Sequence, residues 1–142
     1  MEWQTPKTDW HGATSSDGVY TGDYFNADDF NRIKNNLAYL REMAVKLYPS
    51  FDIVSLGDDR NPTDYFYADE INQLEDNFTT INSNTLKGSY GTPPIYNANG
   101  NTMNFSELNR LESAMLDLYN RLKNESEGRR MFTWNFGMKG GL

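Results

Sequence analysis

Apolar residues recur at helical spacing in three separate stretches of the chain. Steps of three and four residues build one stripe in each stretch: Phe30, Ile33, Leu37, Leu40 and Ala44; Ile71, Leu74, Phe78 and Ile81; Leu108, Leu111, Met115, Leu118 and Leu122. Such a stripe is typical of an amphipathic helix that turns one face towards a core. We therefore predict helices over about 27–48, 68–84 and 105–124.

The three predicted helices belong to one internal repeat. The stretches Asp23–Leu47, Asp64–Asn82 and Asn101–Leu122 align around a shared centre, with offsets of 41 and 37 residues. In the first copy Asn26 is a good helix cap, and Asp29 stands at the capping-box position three residues later. One helix of this length cannot bury its stripe alone. The chain is thus expected to be mainly α, with a three-helix bundle over 23–128.

The connectors leave the directions of the helices open. Residues 49–66 and 85–103 are 18 and 19 residues long and rich in Gly, Pro, Asn and aromatic residues. Antiparallel neighbours need only about 2–8 residues. We favour an up-and-down bundle with long functional loops. The alternative is a set of parallel helices around a pseudo-threefold axis, with each connector running back along the bundle.

Two arms flank the repeats. The N-terminal arm, 1–22, contains two tryptophans and shows no helical period. In the C-terminal arm, 129–142, aromatic residues alternate with uncharged polar ones, at Phe132, Trp134 and Phe136. A period of two indicates a strand. We expect short β pairing of the terminal arms.

An asparagine follows the leading apolar residue of every repeat, at Asn31, Asn72 and Asn109. Asparagine is a mediocre helix former, because its side chain competes for backbone hydrogen bonds. Its return in all three copies predicts a side-chain amide that bonds the connector backbone or a neighbouring helix. The alternative is common descent of the repeats with no present role.

Charge and hydropathy restrict the partners. The chain has 142 residues, the length of one domain, and a net charge of −7, whereas nucleic-acid binding needs a clustered basic face. No apolar window is long enough for a membrane span, and the first residues contain no apolar run typical of a signal peptide. We expect a cytoplasmic protein that binds neither nucleic acid nor membrane.

The residue types exclude catalysis by histidine or a thiolate, whereas a serine–lysine or carboxylate pair stays open on residue types alone. Cysteine is absent and His11 is the only histidine, so neither a histidine triad nor a thiolate or histidine metal site is available. No nucleophile elbow, phosphate loop or dinucleotide fingerprint occurs in the sequence. We expect no enzymatic activity, no metal and no cofactor.

Aromatic residues outside the predicted helices are the main candidates for contacts with other molecules. They could stack on sugars or fill pockets of a partner protein. The candidates are Trp3, Trp10, Tyr90, Tyr96, Phe132, Trp134 and Phe136. The alternative is that they cover the ends of the bundle and the undersides of the connectors.

The stretch from Trp10 through Gly22-Asp23-Tyr24-Phe25-Asn26 to Leu37 resembles a segment of small tail-region proteins of bacteriophages and prophages of Gram-positive gut bacteria. The resemblance is strongest over residues 10–48. It implies a non-catalytic virion or tail-assembly component, with other tail proteins or further copies of itself as partners. Such a protein would be made in the bacterial cytoplasm and then enter the virion. The second hypothesis is a carbohydrate-binding module that uses the loop aromatics.

Overall fold

The computed structural model describes residues 2–63, 67–96 and 104–139, with side chains up to Arg129. Its elements in chain order are β1 (Gly12–Thr14), β2 (Tyr20–Gly22), α1 (Ala27–Leu47), α2 (Ala68–Ser83) and α3 (Phe105–Lys139). The mainly α, three-helix prediction is confirmed. None of the described helices is both long enough and apolar enough to cross a membrane.

The helices begin where the capping residues lie. Asn26 Oδ1 accepts from the Asp29 backbone N–H at 3.2 Å, and the Asp29 carboxylate accepts from the Asn26 N–H at 3.0 Å. At the start of α3 the Asn104 side chain accepts from the Glu107 N–H at 2.8 Å. These bonds satisfy backbone donors that have no partner within the helix. Helix α1 ends at Leu47, two residues before Pro49.

The three apolar stripes meet in one core. Every member of each stripe is buried, and equivalent residues of the repeats lie in it together. Trp10, Ala114 and Tyr96 extend this core on the sides that the connectors cover. The three repeats are therefore equivalent in their packing as well as in their sequence.

All three helices point in the same direction. Near their first turns Arg32 of α1 pairs with Glu112 of α3 at 2.8 Å, and at the far end the Tyr48 hydroxyl reaches Glu125 at 2.7 Å. Helix α2 follows the same order, because its Glu75 meets α3 through Arg110. One turn further along, Tyr90 links Phe78 of α2 to Asp117 of α3.

The favoured up-and-down arrangement is therefore wrong, and the parallel alternative describes the bundle. The length of the connectors permits this arrangement, since 18 or 19 extended residues reach roughly 60 Å. That is about twice the length of a 20-residue helix. Each connector can return along the bundle and start the next helix at the same end.

The predicted C-terminal strand is also wrong. Helix α3 does not end near 124 but runs to Lys139, through the positions of Phe132, Trp134 and Phe136. The alternation there is only five residues long, and Phe132 and Phe136 are four apart, which a helix accommodates equally well. The β pairing lies within the N-terminal arm, where β1 and β2 form an antiparallel hairpin with Ala13 opposite Thr21.

The shared core predicts a large cost for truncating a central residue. Leu111→Ala should lower the free energy of unfolding by about 2–5 kcal/mol, because it removes a fully buried side chain and leaves a cavity. Urea unfolding followed by circular dichroism measures this change. Ser106→Ala, at an exposed position of the same helix, is the control and should stay within about 0.5 kcal/mol of the parent. Equal effects of the two variants would contradict the core assignment.

Candidate functional site

The repeated asparagines hold the chain together through paired hydrogen bonds. Asn31 donates to the Arg60 carbonyl at 3.0 Å and accepts from the Arg60 N–H at 2.7 Å. Asn72 binds both backbone groups of Tyr96 in the same way, at 2.9 and 2.8 Å. Asn109 does so with Trp10, at 3.0 and 2.7 Å. We call each such pair an amide clamp. The predicted bonding of these three side chains to connector backbone is confirmed.

The three clamps form a closed ring. Helix α1 binds the segment that leads into α2, helix α2 binds the segment that leads into α3, and helix α3 binds the segment that leads into α1. Each helix thus fixes the approach to its neighbour. The N-terminal arm closes the ring, because it occupies the groove between α3 and α1.

A second row of clamps lies nearer the middle of the bundle. Asn36 binds both backbone groups of Gln4, at 2.9 and 2.7 Å. Asn77 binds both backbone groups of Val54, at 3.0 and 2.9 Å. In the third repeat the equivalent residue is Ala114, which has no polar side chain. There the Arg110 guanidinium donates to the Tyr90 carbonyl at 3.3 Å instead.

The clamps define three equivalent extended segments, which we call return segments. They are Gln4–Trp10, Val54–Arg60 and Tyr90–Tyr96. Each spans seven residues and is bound at both ends, and each runs back towards the start of the helices. Sequence reasoning missed Asn36 and Asn77, although both lie five residues after a clamp asparagine.

Glu112 is the most heavily bonded side chain of the groove between α1 and α3. It is fully buried and accepts from Arg32 through two nitrogens, at 2.9 and 2.8 Å. The Trp10 indole donates to its second oxygen at 2.5 Å, and the Lys7 backbone N–H donates to its first at 3.1 Å. The carboxylate therefore joins both helices and the return segment at one point.

The equivalent carboxylate between α2 and α3 has fewer donors. Glu75 accepts from Arg110 at 2.6 Å, while its other oxygen has no hydrogen-bond partner among the described residues. The residue equivalent to Lys7 is Pro93, which has no backbone N–H to donate. Tyr96 stands where the other groove has Trp10, and its buried hydroxyl likewise has no described partner.

The pKa values follow this difference in bonding. Burial raises the pKa of the Glu75 carboxyl above its usual value, and Arg110 only partly offsets that effect. Burial, together with the nearby Glu75 and Glu107, raises the pKa of Tyr96 to about 12. Glu75 is thus an ionisable group in a place that disfavours its charge.

The groove between α1 and α2 uses a different cation. Gln73 stands at the position of Arg32 and Arg110 and offers no positive charge. The return segment supplies it instead, since Arg60 pairs with Glu70 at the start of α2 and lies over the Phe30 ring at 5.1 Å. In the other two grooves Arg32 pairs with Asp29 at 2.9 Å and Arg110 pairs with Glu107 at 2.7 Å. Every groove thus places a guanidinium next to a carboxylate of a first helical turn.

The aromatic candidates of the loops mostly serve the interior. Trp10 and Tyr96 are only 4% and 6% exposed, so in this chain both pack in the core beneath the connectors, as the alternative interpretation expected. Trp3 is half-buried and stacks on Tyr119 with ring centres 4.1 Å apart. Tyr90 is half-buried and bonds Asp117 at 2.7 Å. The side chains of Phe132, Trp134 and Phe136 lie outside the described residues.

Two surface clefts lie beside the return segments. One, of about 300 Å³, lies between α1 and residues 52–57, and the other, of about 340 Å³, lies between α2 and residues 88–93. Lys34 and Arg41 line the first, but each already pairs with an aspartate at 2.8 Å. The part of the chain that the structure describes contains no cluster of three side chains suited to a metal ion.

The comparisons with known proteins give no relative: no family model, no curated protein and no solved structure matches this chain.

Removing one clamp should destabilise the chain and expose the backbone amide that it binds to faster hydrogen exchange. Asn72→Ala leaves the Tyr96 N–H and carbonyl without their partner and should cost about 1–3 kcal/mol of stability. The Tyr96 amide should also exchange its hydrogen faster, which NMR can resolve. Asn124→Ala, at an exposed site of α3, is the matched control. A cost equal to that of the control would contradict the bracing role of the clamp.

The unequal bonding of the two carboxylates predicts unequal costs for two conservative variants, measured as free energies of unfolding in urea. Glu112→Gln removes the charge that faces Arg32 and should cost about 3 kcal/mol or more. Glu75→Gln should cost much less, because one oxygen of the carboxylate that it removes has no hydrogen-bond partner among the described residues.

The difference in stability between the parent and Glu75→Gln should also change with pH. A folded-state pKa above the unfolded value means that the folded chain binds the proton more tightly. The parent should therefore gain stability relative to Glu75→Gln as pH falls from neutrality through the folded pKa to the unfolded one. Urea midpoints at several pH values measure this gain, and a constant difference would contradict it.

Proposed function

We propose that the chain is a non-enzymatic structural component of a bacteriophage or prophage tail, at the baseplate or the fibre attachment, and that it acts through protein–protein contacts. The resemblance of residues 10–48 to small tail-region proteins supports this proposal. Its partners would be other tail proteins or further copies of the chain. It would be made in the cytoplasm of the host bacterium and then incorporated into the virion.

The observation that carries the proposal is the extension of α3 beyond the bundle. Helix α1 ends at Leu47, whose carbonyl accepts from Arg129 of α3 at 2.5 Å. Helix α3 then continues for ten more residues, about 15 Å, to Lys139. The sequence of this extension includes Phe132, Trp134 and Phe136. A ten-residue helical segment is marginal in water by itself, so a partner that packs against it would stabilise it.

The bundle beneath the extension suits a scaffold. Its amide clamps fix the connectors, and buried ion pairs join α3 to both other helices. Such internal bracing keeps the base of the projecting helix in one orientation. A rigid base lowers the entropy that is lost when the helix binds a partner.

Composition of purified virions tests the proposal. After induction of the prophage that encodes the chain, density-gradient particles should contain it at a fixed ratio to the tail proteins, measured by quantitative mass spectrometry. A capsid protein is the positive marker and a soluble host enzyme the negative one.

A full-length variant with Phe132→Ser, Trp134→Ser and Phe136→Ser should fold but be depleted from particles. Circular dichroism checks its fold, and Ser126→Ala at an exposed site is the control variant. Absence of the parent chain from particles would overturn the proposal.

A further inference from the structure

The groove between α1 and α3 binds the N-terminal arm as a receptor binds an extended peptide. The backbone of the arm is hydrogen-bonded at two points. Asn36 binds the N–H and the carbonyl of Gln4, and Asn109 binds those of Trp10. The Glu112 carboxylate adds the Lys7 N–H. Main-chain bonds of this kind provide affinity for any extended segment, whereas side-chain pockets provide specificity.

Two tryptophans supply the specificity. Trp10 is buried, with its indole N–H bonded to Glu112 at 2.5 Å, and Trp3 stacks on Tyr119 with the rings 6° from parallel. The other two return segments have Ile53 with Arg60, and Ser89 with Tyr96, at the same positions. Only this groove of the three combines two amide clamps with two indoles, and tryptophans are the commonest anchors of protein interfaces.

The arm is joined to its own bundle by an unusually long tether. Fifteen residues lie between Trp10 and the cap Asn26, whereas six lie between Arg60 and Tyr67. The extra residues form the β1–β2 hairpin, in which residues 12–19 are exposed. Fully extended, a tether of this length spans about 50 Å. The arm could therefore reach a groove on another molecule once the hairpin opens.

We infer that the α1–α3 groove is an exchangeable peptide-binding groove, and that its partner is the arm, residues 2–10, of a second copy of this chain. Each arm leaves its own groove and enters that of its neighbour. Exchange re-forms the clamps, the bond from Trp10 to Glu112 and the stack of Trp3 on Tyr119 between two copies. The β1–β2 pairing of the opened hairpin is lost, so the balance depends on protein concentration and on the tether. The inference rests on the assembly role proposed above, for which it supplies the joint between copies.

A binding measurement tests the groove without any tail partner. The full-length Trp10→Ala variant should weaken the hold of the groove on its own arm, because it removes the buried indole. A fluorescently labelled synthetic peptide of residues 2–12 should bind this variant at least about tenfold more tightly than it binds the parent, whose groove is occupied. A peptide with alanine at both tryptophan positions is the matched control. Fluorescence anisotropy gives both affinities, and equal binding of the two peptides would overturn the inference.

Two further variants keep the test decisive. If Trp10→Ala does not fold, as judged by circular dichroism, the full-length Trp3→Ala variant replaces it as the acceptor. Asn109→Ala in the acceptor should weaken peptide binding by at least about fivefold, because one clamp is lost.

Solution mass tests the exchange itself. Light scattering over a concentration series should show oligomers of the parent that Trp10→Ala does not form. If the parent stays monomeric at every concentration although the groove binds the peptide, the groove holds only its own arm. That result would overturn the exchange. Absence of the chain from virions would leave both results unchanged, so the two proposals can fail separately.

Discussion

The fold depends on satisfying the backbone of long segments that have no secondary structure of their own. A return segment packed between two helices loses water from its N–H and carbonyl groups, and such groups must find other partners. Asparagine is suited to this task, because one amide offers a donor and an acceptor side by side. Asn31, Asn72 and Asn109 each bind both groups of one residue. Without them, parallel helices joined by extended connectors would leave many polar groups unpaired.

The differences between the grooves are as informative as their likeness. Glu112 accepts from four donors, whereas Glu75 accepts only from Arg110 among the described residues. Pro93 has no N–H to match that of Lys7, and the Tyr96 hydroxyl does not replace the Trp10 indole. The α1–α2 groove takes its guanidinium from Arg60 of the return segment. Each repeat thus keeps the backbone clamp and varies the side chains around it. The groove that holds the arm is the most completely bonded of the three.

Much of the architecture could be predicted from local pattern. The stripes identified the core, the Asn26–Asp29 pair identified the start of α1, and the recurring asparagines identified the clamps. Helix direction could not be predicted, because connector length permits both arrangements and only contacts such as Arg32 with Glu112 decide between them. The strand at Phe132–Phe136 failed because five residues cannot separate a period of two from a helical face. The burial of Trp10 depends on a partner a hundred residues away in sequence.

Parallel helices also give the molecule two electrically different ends. Each helix carries the equivalent of about half a positive charge at its start and half a negative charge at its end, and three aligned helices add where antiparallel ones would cancel. The carboxylates of Asp28, Asp69 and Glu107 lie in the first turns, while Lys46 lies in the last turn of α1. The side chains thus offset the field of the backbone at the start of every helix, and Lys46 does so at the end of α1. A charged partner that approaches along the bundle axis meets this field, and salt will screen it.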